Sequence, residues 1–165
     1  MSYHIYTTKG LVLAEKPLRE ADRIYTVLTR DLGLVHATAS GVRNEGSKLR
    51  GVLEPFTLSM ISLVRGKEHW RVTSAESIRT ISFSPSLARP FALLKKFIQG
   101  EAPHPELFDA IESAVELSKQ NDEMFEIHLV SQILFHLGYL KESDLKLDKN
   151  NLVKVINEGI RASHL

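Results

Sequence analysis

Apolar and polar residues alternate through much of the first half of the chain and recur at helical spacing in the second. Leu34-Val35-His36-Ala37-Thr38-Ala39-Ser40 puts Val35, Ala37 and Ala39 on one side and His36, Thr38 and Ser40 on the other, the period of a half-buried strand. The β-branched and aromatic run Ile24 to Arg30 precedes it, and Asp31-Leu32-Gly33 is a short connection, so the two runs predict a hairpin. Tyr3 to Leu13 predicts an earlier strand and Phe56 to Val64 a later one. Arg65-Gly66-Lys67 then turns the chain into a fifth, His69 to Thr73.

Five short antiparallel strands bury one face most economically by closing into a small barrel, which removes exposed edges. The longest irregular stretch, Gly41 to Gly51, falls between strands three and four, where an OB-type barrel places its one non-strand insertion. After Phe83-Ser84-Pro85 the period becomes helical. Phe91, Leu94 and Ile98 share a face, and Pro103-His104-Pro105 breaks the chain and sets Glu106 in the first turn of a helix carrying Leu107, Phe108, Ile111 and Val115 inward. Asn121 is placed to cap a third helix running to Gly138, apolar nearly all round and therefore central. Asn151 to Ala162 supplies a last one. The expected class is α+β: a five-stranded OB-fold β-barrel over residues 1–80, followed by a small α-helical domain over 81–165.

Composition removes several kinds of chemistry. The chain of 165 residues has no cysteine, which excludes disulfide frameworks, cysteine-based zinc modules, iron–sulfur clusters and cysteine nucleophiles. Seven histidines invite a test for metal, but His128 and His136, the only pair on one predicted helix, are eight apart rather than the four that grip one ion. No metal and no cofactor is expected. There is no nucleophile elbow, phosphate-binding P-loop or dinucleotide-binding turn, and the carboxylates of the helical half fall on solvent faces, so nothing argues for an enzyme. No apolar run approaches the ~18 residues of a membrane helix and the start is not a signal peptide, which makes the expected location cytoplasmic, away from any membrane.

The net charge of +1 conceals an asymmetry. Residues 1–80 carry twelve basic and eight acidic side chains, net +4, whereas residues 81–165 carry nine and twelve, net −3. A basic front half suits a polyanion. Its cations are densest in the long connection, where Arg43, Lys48 and Arg50 accompany one acid, Glu45, and three glycines. Such cations, with free backbone N–H groups on a mobile loop, can track phosphates without reading bases. Tyr25, Trp70 and Phe56 are the aromatic residues available for stacking on bases, with core packing as their alternative role.

The loop and its flanks, Ala39-Ser40-Gly41-Val42-Arg43 and Ser47-Lys48-Leu49-Arg50-Gly51-Val52-Leu53-Glu54-Pro55-Phe56, resemble the RecO family of bacterial recombination mediators. Upstream and in the family's order stand Lys9-Gly10-Leu11-Val12-Leu13, Glu20-Ala21-Asp22-Arg23 and Thr29-Arg30-Asp31-Leu32-Gly33. Leu137-Gly138-Tyr139 is similar to the end of the family's helical-domain motif. The resemblance implies an OB barrel on a helical domain that binds single- and double-stranded DNA, promotes annealing and acts in repair with RecR and the single-stranded-DNA-binding protein. Two departures stand out. Glu142-Ser143-Asp144-Leu145-Lys146-Leu147-Asp148 occupies the place of a four-cysteine zinc module, and the chain ends well short of the usual family length, as a shortened homologue would.

The expectation is therefore a non-enzymatic DNA-binding factor of recombinational repair. Arg43, Lys48 and Arg50 hold phosphates with help from Arg23 and Arg71, and Trp70 stacks. A protein-interaction adapter that keeps the barrel but little DNA affinity is the alternative, and the acidic back half is its support. The family's implied partner, the acidic C-terminal tail of the single-stranded-DNA-binding protein, needs an apolar pocket with a cationic rim. Arg89, Phe91, Leu94, Lys95 and Lys96 are the one place in the back half that offers both.

Overall fold

The computed structural model describes residues 3–81, 85–117 and 123–164. Five strands come first: β1 (Ile5–Pro17), β2 (Arg23–Thr29), β3 (Gly33–Ala39), β4 (Thr57–Val64) and β5 (Trp70–Thr80). They close into a barrel in the order β1-β2-β3-β5-β4, with β4 paired back to β1. All neighbours are antiparallel except β3 and β5, which pair in parallel at Ala37–Trp70 and Thr38–Arg71. Four helices follow: α1 (Pro85–Phe97), α2 (Pro105–Leu117), α3 (Glu123–His136) and α4 (Lys149–Ala162), with a 3-10 turn at Glu142–Lys146. The expected Asn121 cap, like Phe83 and Ser84, lies outside the described residues.

Closure rests on β1 serving two neighbours. Its first part, Ile5 to Leu11, pairs with β4, and Gly10 to Pro17 pairs with β2, with a bulge between Val12 and Ala14 that bends the strand from one partner to the other. The strand therefore runs four residues past the expected end at Leu13. Glu15 to Pro17 pair with β2 while presenting little apolar surface, so they leave no alternation to read. β5 likewise runs to Thr80 rather than Thr73. Its later part is paired with β4 on one edge and exposed, so hydrogen bonding rather than burial defines it. Val12, Tyr25, Val27, Val35, Ile61 and Leu63 form the barrel core, the inward set that alternation selects.

The β2–β3 hairpin is built by its own side chains. The Thr29 hydroxyl donates to the Gly33 carbonyl (2.7 Å) and accepts from the Leu32 N–H (3.0 Å), while the Thr8 hydroxyl donates to the Asp31 carboxylate (2.7 Å). Gly33 has φ +77°, and a Cβ there would lie 2.5 Å from the Ala102 carbonyl oxygen, so only glycine fits.

The chain divides into two compact units, Met1–Ser82 with Gln99–His104, and Phe83–Ile98 with Pro105–Leu165. Gln99–His104, which follows α1 in the sequence, thus belongs to the barrel unit, where the Leu34 N–H donates to the Gly100 carbonyl (3.0 Å). In the helical unit α3 packs against α1, α2 and α4, as its all-round apolar surface requires. It stops at Gly138 (φ +85°), where the Tyr139 N–H returns to the Leu134 carbonyl (2.8 Å). α4 starts two residues before the expected Asn151 because the Asp148 carboxylate caps it, accepting from the N–H groups of Asn150 (3.1 Å) and Asn151 (3.2 Å). Hydrogen bonds from the Asn151 side chain, then from backbone N–H groups, hold that carboxyl below its ordinary value.

Candidate nucleic-acid interface

The connection from Ser40 to Phe56 is a string of turns rather than a slack loop. The N–H groups of Asn44, Ser47, Arg50 and Val52 bond to the carbonyls of Gly41, Asn44, Ser47 and Leu49 at 3.0–3.2 Å, and Val42 and Leu53 are sunk into the barrel core. The expectation of free backbone N–H groups is corrected at these four positions, since the turns consume them and leave the side chains to meet a ligand. The segment Glu20 to Arg23 anchors the string. The Gly41 N–H donates to the Asp22 carboxylate (2.8 Å), the Arg43 N–H to the Ala21 carbonyl (3.2 Å) and the Arg43 guanidinium to the Glu20 carbonyl (3.0 Å). Arg43 is thereby held outward with its charge uncancelled, a carbonyl being its partner. Lys48 and Arg50 are exposed and make no ion pair among the described residues.

A groove of 530 Å³ opens beside this string. Arg23, Arg43 and Arg50 line it together with Glu15, Glu54 and Tyr25. Lys48 and Arg71 are not among its lining residues. Arg23 is not a spare cation: it is ion-paired with Glu15, whose hydrogen bond and charge hold the guanidinium above its ordinary pKa. Tyr25, 1% exposed, is a core residue whose phenol is pushed up to about 12, first by burial and then by Glu15, against the opposing pull of Arg23. Phe56 is half-buried.

Arg71 sits on the outer surface, where its register neighbour on β3 is Thr38 and its guanidinium lies 5.7 Å from the centre of the Tyr3 ring. Beside it on the same outer surface are Thr26 and exposed His36, linked at 3.3 Å between Oγ1 and Nδ1. Strand alternation had marked His36 and Thr38 as outward, but nothing local joined them to Arg71, which is thirty-three residues from Thr38 in the chain.

Trp70 departs from the expected stacking role. It is 5% exposed within the core cluster, meets Tyr6 edge to face at 5.2 Å, and carries the Arg65 guanidinium over its ring at 4.8 Å. A base has no open ring to stack on. The indole N–H donates to Glu101 Oε1 (3.0 Å), and Glu101 Oε2 is ion-paired with Arg65. Partial burial pushes the Glu101 carboxyl up, but the hydrogen bonds from Arg65 and Trp70, with the charge of Arg65, prevail and hold it below its ordinary value. Sequence inspection missed Glu101 because thirty-one residues separate it from Trp70.

In the helical unit the described residues form no open apolar pocket at the expected place on α1: Phe91 is 3% exposed and Leu94 is fully buried, so both are core residues. Arg89 approaches Glu126 at 3.8 Å, which leaves exposed Lys95 and Lys96 as the cations of that helix without an ion pair among the described residues. Among the described residues no group of three or more His, Asp and Glu side chains could hold a metal, and no helix is long and apolar enough to cross a membrane.

The family described as "Recombination protein O N terminal" matches residues 1–81, the stretch that forms the five strands. Curated proteins named "DNA repair protein RecO" are similar over more of the chain. One from Heliobacterium modesticaldum is 30% identical over 94% of this chain and 59% of its own length. One from Dehalococcoides mccartyi is 34% identical over 77% and 55%, and one from a Synechococcus strain is 40% identical over 57% and 35%. The chain thus spans about one third to three fifths of the length of these relatives.

Proposed function

From the premise that the chain belongs to the RecO family of DNA repair proteins, we propose that it binds single- and double-stranded DNA through the phosphate backbone in recombinational repair. The observation that carries this reading is the clustering of Arg43 and Arg50 on one groove, next to Lys48, with no carboxylate among the described residues paired to any of the three. Phosphates are the ligands such a surface fits, because unpaired guanidinium and ammonium groups release counterions from the polyanion as they dock. Glu15 and Glu54 on the same groove disfavour a strand that runs deep into it, so the backbone tracks the cationic rim. Residues 1–80, joined by Gln99–His104, form the nucleic-acid-binding domain in this reading, and the rest of residues 81–165 the helical one.

The role is non-enzymatic: the chain positions strands for annealing or recombinase loading in the cytoplasm and needs no cofactor. Its partners are a RecR-like protein and the C-terminal tail of the single-stranded-DNA-binding protein. For the tail's carboxylates, Lys95 and Lys96 are the available cations on α1.

Titrating a fluorescent single-stranded oligonucleotide at several salt concentrations tests the reading. Replacing Arg43, Lys48 and Arg50 together with alanine is expected to weaken binding about tenfold or more for every sequence and to flatten the salt slope by up to about 2, at roughly 0.7 per lost contact. An unchanged slope in the folded triple variant removes the loop from the interface. No binding by the unaltered protein turns the assignment to the adapter.

A further inference from the structure

We infer that Arg65 and the indole N–H of Trp70 form a second backbone-phosphate site for DNA, closed in the free protein by the carboxylate of Glu101. The inference rests on the DNA-binding reading and adds a site on the connection between β4 and β5, away from the string of turns.

The chemistry of the occupied site identifies its ligand. Glu101 uses both oxygens, Oε2 on the Arg65 guanidinium and Oε1 on the Trp70 indole N–H (3.0 Å), which is how an anionic phosphate would divide two of its oxygens between the same donors. The donors are set before any ligand arrives. The Arg65 guanidinium rests over the indole ring at 4.8 Å, and the turn that carries it is tight, since a Cβ on Gly66 would lie 2.1 Å from the His69 carbonyl oxygen. Trp70 itself is fixed in the core, so its N–H has one direction in which to donate.

The closing group, by contrast, is easily moved. The side chains of Arg65 and Glu101 are 59% and 43% exposed, and an ion pair so open to water contributes little. The backbone around Glu101 is held independently, by the Leu34 N–H on the Gly100 carbonyl and by Ala102 against Gly33. A rotation of the Glu101 side chain therefore uncovers both donors without disturbing the strand beneath. Each phosphate that enters must displace a carboxylate, so DNA binding and Glu101 release are coupled, and the chain binds DNA less tightly than its cations alone allow.

The experiment compares Glu101→Gln with the unaltered protein and with Glu68→Gln, which removes the same charge from the β4–β5 connection that carries Arg65. Glu101→Gln is expected to bind a single-stranded oligonucleotide about three- to tenfold more tightly, with a salt slope steeper by about 0.7, whereas Glu68→Gln gains less than half of that. Adding Arg65→Ala to Glu101→Gln should return the affinity to that of the unaltered protein. Trp70 is the only tryptophan, so its emission reports the site directly. In the unaltered protein it should shift on saturation with oligonucleotide and stay constant in millimolar inorganic phosphate. Equal affinities for Glu101→Gln and Glu68→Gln, or a constant Trp70 emission on saturation, overturn the site and leave the loop reading standing. DNA binding by Glu101→Gln alone keeps the site and overturns the loop reading. Absence of binding by all variants overturns both, and a Trp70 response to inorganic phosphate equal to that with DNA reassigns the site to a free anion.

Discussion

The barrel unit treats its cations in two opposite ways. Around the Ser40–Phe56 turns, Arg43 donates to a carbonyl and Lys48 and Arg50 reach solvent without an ion pair among the described residues, so three positive charges stay uncancelled there. At the β4–β5 connection Arg65 is bound to Glu101, and at the β1–β2 ladder Arg23 is bound to Glu15, so those charges are spent inside the fold. The +4 of the first eighty residues is therefore not the charge a polyanion meets. A carbonyl partner positions a guanidinium and leaves its field intact, whereas a carboxylate partner positions it and cancels it.

The comparison is most severely tested through the backbone that brings Glu101 to Arg65. Gly33→Ala puts a methyl group against the Ala102 carbonyl and an L side chain at φ +77°, with an expected loss of about 1–3 kcal/mol in urea unfolding. If the strain is relieved by lifting Gln99–His104, the variant should also bind DNA more tightly, in the manner of Glu101→Gln. An unchanged unfolding midpoint would show that this segment does not rest on Gly33.

A smaller effect separates spent from spare charge on the groove itself. Glu15→Gln frees Arg23 and should raise single-strand affinity about two- to fourfold, while Arg23→Ala unmasks the Glu15 carboxylate on the same groove and should lower it by no more than a similar factor, since that cation is already neutralised. A large loss in Arg23→Ala would place Arg23 with Arg43 and Arg50 instead. The Glu15 change should also bring the Tyr25 phenol down from about 12, readable in its ultraviolet titration, because Glu15 is the second cause of that elevation.

The smallest effect is a pH dependence. With the Glu101 carboxyl held below its ordinary value, its contribution to the fold is complete above the unfolded-state value, about 4.3, and is lost as pH falls through the lower folded value. Trp70 emission should therefore be flat from neutral pH down to about 5 and change only in more acidic solution, and in Glu101→Gln the transition should vanish. A transition near neutrality would point to a different titrating group.

Much of this was legible in the residues themselves. The inward set Val35, Ala37 and Ala39, the hairpin across Asp31-Leu32-Gly33, the stop of α3 at Gly138 and the cations of Arg43 to Arg50 all depend on neighbours a few positions away, and a local pattern records local causes. Even there the pattern fell short wherever burial was not the cause. The end of β1 after its bulge and the exposed end of β5 exist because a partner strand bonds them, and a solvent-facing strand carries no alternation. The order of residues alone sets the class of fold and which side chains carry positive charge. Which of those charges is available depends on how the folded chain brings distant residues together. Glu15 lies eight residues from Arg23, Glu101 thirty-six from Arg65 and thirty-one from Trp70, and a carboxylate cancels a cation by distance in space, which no spacing along the chain encodes.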